Sequence, residues 1–135
     1  MAQYSDEELL SAAREAAANA YAPYSSFPVG AAVWPGEGQP VFLGCNVENA
    51  AYGEAICAER NAVTTMVAQG IRQVDTVAVI GLKAHPCYPC GACRQVLREF
   101  GCRRVVVEGP DGRPVAHDFS ELLPYSFGPD ALSGV

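Results

Sequence analysis

The sequence predicts an α/β fold, a three-layer α-β-α sandwich whose mixed sheet has about five strands, and three observations carry that expectation. Segments of helical period alternate with short runs of strand character. Some strands are joined by turns and others by segments long enough to cross over, so the sheet combines antiparallel and parallel neighbours. At 135 residues, half of them hydrophobic, the chain has the size and apolar content of one domain, expected to span residues 1–135. Thirteen glycines and ten prolines keep the elements short and the connections tight.

Ser5 and Glu8 form a capping box, and Leu9, Ala13, Ala16, Ala17 and Ala20 recur at helical spacing until Pro23 forbids continuation. The first helix is therefore expected over about residues 6 to 19. Val29 to Trp34 and Val41 to Cys45 read as strands joined through Pro35-Gly36-Glu37-Gly38-Gln39-Pro40, a hairpin. Ala58 to Gln69 carries Ala62, Val63, Met66 and Val67 on one face and stops at Gly70, which suits a helix. Thr76 to Ile80 is continuously apolar, as a strand covered on both faces requires. A short helix from Gly91 to Phe100 ends at Gly101, and Val105 to Val107 follows as a fourth strand. Gly109-Pro110-Asp111-Gly112 then turns the chain toward Pro114 to Ala116, too short a connection for anything but an antiparallel pair. The remainder, rich in Gly and Pro, reads as irregular after a brief turn near Phe119 to Leu122.

Charge excludes several function classes. Fifteen acidic against nine basic residues give a net charge of −6, and Lys and Arg form no stripe that could track a phosphate backbone. Long nucleic acids are thus not expected as partners, and a neutral small molecule fits better. The start, Met1 to Glu8, is acidic where a signal peptide is basic, and no apolar stretch is long enough to span a bilayer, so cytoplasmic residence is the expectation. In that reducing setting the six cysteines read as thiols or metal ligands, although their even number also permits disulfides.

Cysteine spacing selects among these. Cys57-Ala58-Glu59 precedes one helix and Pro89-Cys90-Gly91-Ala92-Cys93 opens another, so three thiols sit where N–H groups and a positive dipole end favour thiolates. Cys90 and Cys93, three apart, place their sulfurs on one face of a first turn, and with Cys57 they form a candidate three-sulfur zinc site. Three thiolates leave such a site with a formal charge of −1, which opposes ionisation of a bound water; Arg60 is placed to draw electron density from the sulfurs. Glu59 converges on the same point only if Cys57 lies at the helix boundary. Granting that, its carboxylate can take a proton from a zinc-activated water, deliver it to a ring nitrogen and later protonate a departing amine.

Other readings remain open at this point. A C-x-x-C pair also serves redox dithiols and structural zinc knuckles. Cys87-Tyr88-Pro89-Cys90 is a second, overlapping pair, and Cys87 or His85 could close the shell as a fourth ligand. Cys45 and Cys102 lack a metal-like partner and read as half-buried thiols, while His85 and His117 read as loop or surface residues.

A Cys followed by x-Glu and later Pro-Cys-x-x-Cys is the zinc-deaminase signature. Together with Tyr24–Ala31, Gly44–Ala50, Cys57–Arg60, Pro89–Gln95 and Leu122–Pro129, the sequence closely resembles the small zinc-dependent cytidine deaminases of nucleoside salvage over nearly the whole chain. The resemblance implies one Zn²⁺ per chain, a homotetramer with shared active sites, and hydrolysis of cytidine and 2′-deoxycytidine to uridine, 2′-deoxyuridine and ammonia. In that reading a zinc-activated hydroxide attacks C4 and Glu59 shuttles the proton.

It also implies that Asn46 and Glu48 bind the sugar, two apart and on one face of a strand end. Phe27 packs on the base, Phe127 acts across a subunit interface, and Glu59 with the Ala58 backbone reads the cytosine edge. Ala50 and Tyr52 fall in the loop reaching a neighbour's site. From the residues alone either Phe is also a core candidate. Cys87 and Tyr88 depart from the expected pattern. The antiparallel last strand pair resembles nucleoside deaminases more than relatives acting on nucleotides or polynucleotides. Alternatives are a deaminase of blasticidin-type aminonucleoside antibiotics and a structural zinc module.

Overall fold

The structure is a computed structural model that describes residues 3–134; Met1, Ala2 and Val135 lie outside the described residues. Helix α1, Asp6–Ala17, starts at a capping box in which Ser5 accepts from Glu8 N–H while the Glu8 carboxylate accepts from Ser5 N–H. Strands β1, Val29–Trp34, and β2, Phe42–Cys45, form the expected antiparallel hairpin. Helix α2, Ala58–Ala68, leads to β3, Thr76–Gly81, and α3, Gly91–Glu99, crosses to β4, Arg104–Glu108. Strand β5, Pro114–Asp118, and a single-turn helix α4, Phe119–Leu122, follow, with 3₁₀ turns at Tyr52–Glu54 and Pro129–Leu132.

The strand order is β2-β1-β3-β4-β5. Only β3 and β4 run parallel, joined by the α3 crossover; the other pairs are antiparallel, including β4 with β5. The continuously apolar β3 lies in the middle of the sheet and is buried along its whole length. The sheet separates two cores. On one face Leu9, Leu10 and Ala13 of α1 pack on Ala32, Trp34, Ala78, Ile80 and Val106. On the other, Ala62, Val63 and Met66 of α2 and Leu97 of α3 pack on Ala31, Val33, Val77, Val79, Val105 and Val107. Alternate residues of one strand thus serve opposite layers, which gives the expected α-β-α sandwich.

Glycine sets how closely the layers approach. A Cβ at Gly30 would stand 1.9 Å from Ala13 O in α1, and one at Gly44 would stand 2.3 Å from Ala58 O in α2. Both helices therefore lie directly against backbone, α2 on the hairpin half of the sheet, with Asn61 Nδ2 donating to Cys45 O at 2.8 Å. Asp75 anchors the entry to β3: its N–H donates to Trp34 O, its carbonyl accepts from Arg103 and Arg104 N–H, and its carboxylate accepts from Thr76 Oγ1 and Arg103 Nε. No helix among the described residues is long and apolar enough to cross a membrane.

Candidate active site

Two helix N-termini meet on the face of the sheet covered by α2 and α3. Cys57 is the N-cap of α2 with extended backbone (φ −70°, ψ 154°), and Cys90 is the N-cap of α3 (φ −69°, ψ 170°). Extended caps turn both side chains out of the helical screw, which meets the condition under which Cys57 and Glu59 converge. Cys93 lies in the first turn of α3 and is buried. The sulfurs of Cys57, Cys90 and Cys93 all fall within 4.8 Å of one another. Cys57 and Cys90 are 3.8 Å apart, and a tetrahedral ion with metal–sulfur bonds of about 2.3 Å holds its sulfurs about 3.8 Å apart.

Electrostatics point to a cation at this place. Cys57 is pushed down to about 5 by the hydrogen bond from Cys93, against burial, with help from Arg60 and Cys90. Cys93 is pushed far up, because the sulfur that donates to Cys57 must keep its proton, and burial adds to this. The Cys57 thiolate and burial thus oppose ionisation of Cys93 beside it; a divalent cation removes that conflict. Arg60 Nη2 lies 3.7 Å from Cys57 Sγ and 3.5 Å from Ala55 O, while its buried Nε has no hydrogen-bond partner. A half-buried arginine whose buried Nε is unpaired beside the sulfurs is suited to an anionic metal–thiolate group. The donor set therefore fits zinc.

A cavity of about 220 Å³ opens beside the sulfurs. Its wall includes Phe27, Val29 and Asn46 from the sheet side, Cys57, Ala58 and Glu59 from α2, and Cys87, Tyr88 and Cys90 from the segment before α3. Glu59 is 4% exposed, and burial pushes its carboxyl up to about 7 against the pull of its own backbone N–H, with the Cys57 charge adding to the rise. A carboxyl poised near neutrality in a small apolar cavity is what proton transfer requires.

The remaining predicted residues divide between this cavity and a neighbouring one. Phe27, Asn46 and Ala58 line the first. Glu48 and Tyr52 instead line a second cavity of about 300 Å³ with Tyr24, Ser25 and Asn49. Asn46 Oδ1 accepts from Val29 N–H and its Nδ2 donates to Phe27 O, both at 2.9 Å. Glu48 Oε1 accepts from the N–H groups of Tyr24 and Ser25 at 2.9 and 3.1 Å, and its hydrogen bonds with Ser25 lead the causes that hold its carboxyl below the usual range. Both side chains thus pin the segment that presents Phe27, a task that residue type alone did not reveal.

Phe127 is 60% exposed and lines neither cavity; its carbonyl accepts from Gln95 Nε2 of α3 at 2.9 Å. Ala50 is also exposed. Cys87 lines the first cavity without joining the sulfur cluster, its thiol pushed up to about 11 by burial and then by Glu59; His85 is exposed and stands outside the cluster. Cys45 is half-buried and Cys102 buried. His117, expected at a loop or surface, lies half-buried on β5, where it meets Tyr88.

The described geometry has counterparts among known proteins. The family described as the cytidine and deoxycytidylate deaminase zinc-binding region matches residues 3–108. A cytidine deaminase of Sporosarcina psychrophila is 40% identical over 129 residues, covering 94% of each chain. The crystal structure of cytidine deaminase from Burkholderia pseudomallei superposes with a TM-score of 0.84 at 44% identity, covering 92% of this chain and 100% of that one. That of Mycobacterium tuberculosis gives a TM-score of 0.79 at 38% identity, covering 93% and 99%.

Proposed function

Since the chain belongs to the cytidine and deoxycytidylate deaminase family with its zinc-binding region, we propose that it is a zinc-dependent hydrolase converting cytidine and 2′-deoxycytidine, with water, to uridine, 2′-deoxyuridine and ammonia. The observation that carries this reading is a buried carboxyl, Glu59, sharing one small cavity with a three-sulfur cluster at two helix N-termini. Cys57, Cys90 and Cys93 would hold the zinc ion, which when bound supplies the Lewis acidity that brings a water's pKa toward neutrality.

The chain's own groups do the rest. Phe27 and Asn46 border the space for the base, and the Ala58 backbone with Glu59 reads the edge bearing N3 and the amino group. Glu59 accepts one proton from the attacking water and donates it to N3, then takes the remaining proton from the oxygen added at C4 and delivers it to the amine as the C4–N bond breaks, leaving a C4 carbonyl and ammonia. Burial assists twice, by excluding bulk water and by keeping the carboxyl able both to give and to take a proton near pH 7. Arg60 offsets the negative charge of the three thiolates.

Two further parts of the reading rest on length, charge and hydropathy, a single domain over residues 1–135 and cytoplasmic residence; others rest on resemblance: a homotetramer in nucleoside salvage, Phe127 acting at a neighbour's site, Ala50 and Tyr52 in an inter-subunit loop, and Glu48 with Asn46 at the sugar. The Glu48 carboxylate, held below the usual range by its hydrogen bonds with Ser25, repels a phosphate placed close by.

Three predictions test this function. Purified protein is expected to carry about one zinc per chain, and Cys93→Ala to carry almost none, as measured by elemental analysis; a wild type purified in zinc-containing medium without zinc would overturn the metal assignment. Loss of absorbance is expected with cytidine and deoxycytidine, and much less with cytidine monophosphate or blasticidin S. Preference for the antibiotic would move the substrate to that class, and zinc without any deamination would return the site to a structural role. Asn46→Ala removes two hydrogen bonds that hold the Phe27 segment, so it is expected to raise KM about tenfold, more than it lowers kcat. An unchanged KM in steady-state kinetics would refute that positioning.

A further inference from the structure

One wall of the cavity is built from residues that the deamination chemistry leaves unused. Tyr88 lines the cavity two residues before Cys90, and its hydroxyl lies 3.2 Å from Nε2 of His117 on β5. The two rings meet edge to face, with centroids 5.4 Å apart at 64°. On the far side of the imidazole, Nδ1 stands 3.8 Å from Glu121 Oε2. A carboxylate on that side favours the tautomer with its proton on Nδ1, which leaves the Nε2 lone pair to accept from the tyrosine hydroxyl.

The backbone next to Tyr88 is held as well. Arg94 donates from Nε to Pro89 O at 2.8 Å and from Nη1 to Leu122 O at 2.7 Å, tying the segment to α3 and to the end of α4. The phenol is therefore fixed at both ends, through its main chain and its hydroxyl. A fixed wall discriminates by size, whereas a mobile one yields to a larger ligand.

We propose that Tyr88, held in place by His117, is a specificity-determining residue that limits the substituent accepted at C5 of the pyrimidine. The inference rests on the deaminase reading of the same cavity. With C4 at the sulfur cluster and N3 at Glu59, the C5 edge faces away from Glu59, and the sugar leaves from N1, across the ring from C4. Ala58 and Glu59 take the N3 side, and Phe27, Val29 and Asn46 come from the sheet side. The lining left for C5 is the segment of Cys87 and Tyr88.

The test compares 5-iodocytidine with cytidine by kcat/KM, and 5-iodouridine with uridine by equilibrium binding to the zinc-loaded protein. Tyr88→Ser is expected to raise the iodinated-to-plain ratio about tenfold or more in both measurements, with bound zinc unchanged. His117→Ala, which alters a residue outside the cavity wall, is expected to move the ratio in the same direction by about threefold. Tyr88→Phe, which removes only the hydroxyl, provides the same test should the β5 variant fail to fold. A Tyr88→Ser ratio within twofold of wild type overturns the wall while leaving the deaminase reading intact. Equal ratios for wild type and Tyr88→Phe overturn the role of His117. A wild type that neither deaminates nor binds pyrimidine nucleosides overturns this proposal together with the reading beneath it.

Discussion

Glu59→Gln is expected to keep its zinc, lose about a thousandfold in kcat/KM for cytidine, and make the metal-free chain more stable at neutral pH. The amide fills the same buried space but cannot accept the water's proton, and general acid–base contributions are typically about 10² to 10⁴-fold. The stability gain follows from linkage. Burial first, then the Cys57 charge, raises the folded carboxyl from 4.5 to about 7. Below pH 4.5 both folded and unfolded chains hold the proton, and the full stability is present. As pH rises toward 7 the unfolded chain releases it while the fold retains it, so stability falls until the folded group also ionises. The glutamine lacks that loss. In metal-free protein the variant should therefore match wild type near pH 4 and exceed it by about 3 kcal/mol above pH 7. Thermal unfolding across that range checks the stability half, and steady-state kinetics with zinc analysis check the other. A zinc-loaded variant with near-wild-type turnover would remove Glu59 from the proton path, and a gap that does not open with pH would show that its burial costs nothing.

That trade explains why the chemistry was more legible in the sequence than the surroundings that make it work. Cys57, Glu59, Cys90 and Cys93 lie at short spacings next to helix starts, and helix caps are local features. The capping box at Ser5 and the apolar run of β3 are local in the same way, so α1 and the central strand were readable. The pairing of β1 with β3, which leaves β2 at the edge, was not, because a hairpin has two outer edges and its own residues do not choose between them. Asn46 and Glu48 were read as groups offered to a ligand, yet they also bond the backbone of the segment 24–29, contacts that depend on how the chain folds back across some twenty residues. Tyr88 and His117 are 29 positions apart in the chain and meet only because β5 lies beside β4 in one particular register. Cys87 and Tyr88 were visible as departures from the expected motif, but a departure carries no direction until the cavity wall is known.

Gly44→Ala is expected to cost about 3 kcal/mol and also to empty the metal site of the molecules that remain folded. An added Cβ would stand 2.3 Å from Ala58 O and 2.4 Å from Ala62 N, both backbone atoms of α2 that no rotamer change can move. Relief requires the first turn of α2 to lift from β2. That turn starts at Cys57 and contains Glu59, and it is also tied to the strand by Asn61 through Cys45 O. A displacement of even one ångström breaks the register between Cys57 and the two sulfurs of α3, whose position is set independently by the β3–β4 crossover. Gly30→Ala is the matching control: its Cβ would stand 1.9 Å from Ala13 O, a clash at least as severe, but on α1 and the opposite face of the sheet. Both variants should lower Tm by about 10 °C or more. Only Gly44→Ala should release zinc from protein that elutes as folded. If both variants keep their zinc, the metal site tolerates movement of α2 and is not built on the close approach of helix to strand; if both lose it, the two layers are coupled through the sheet and the site depends on the whole sandwich.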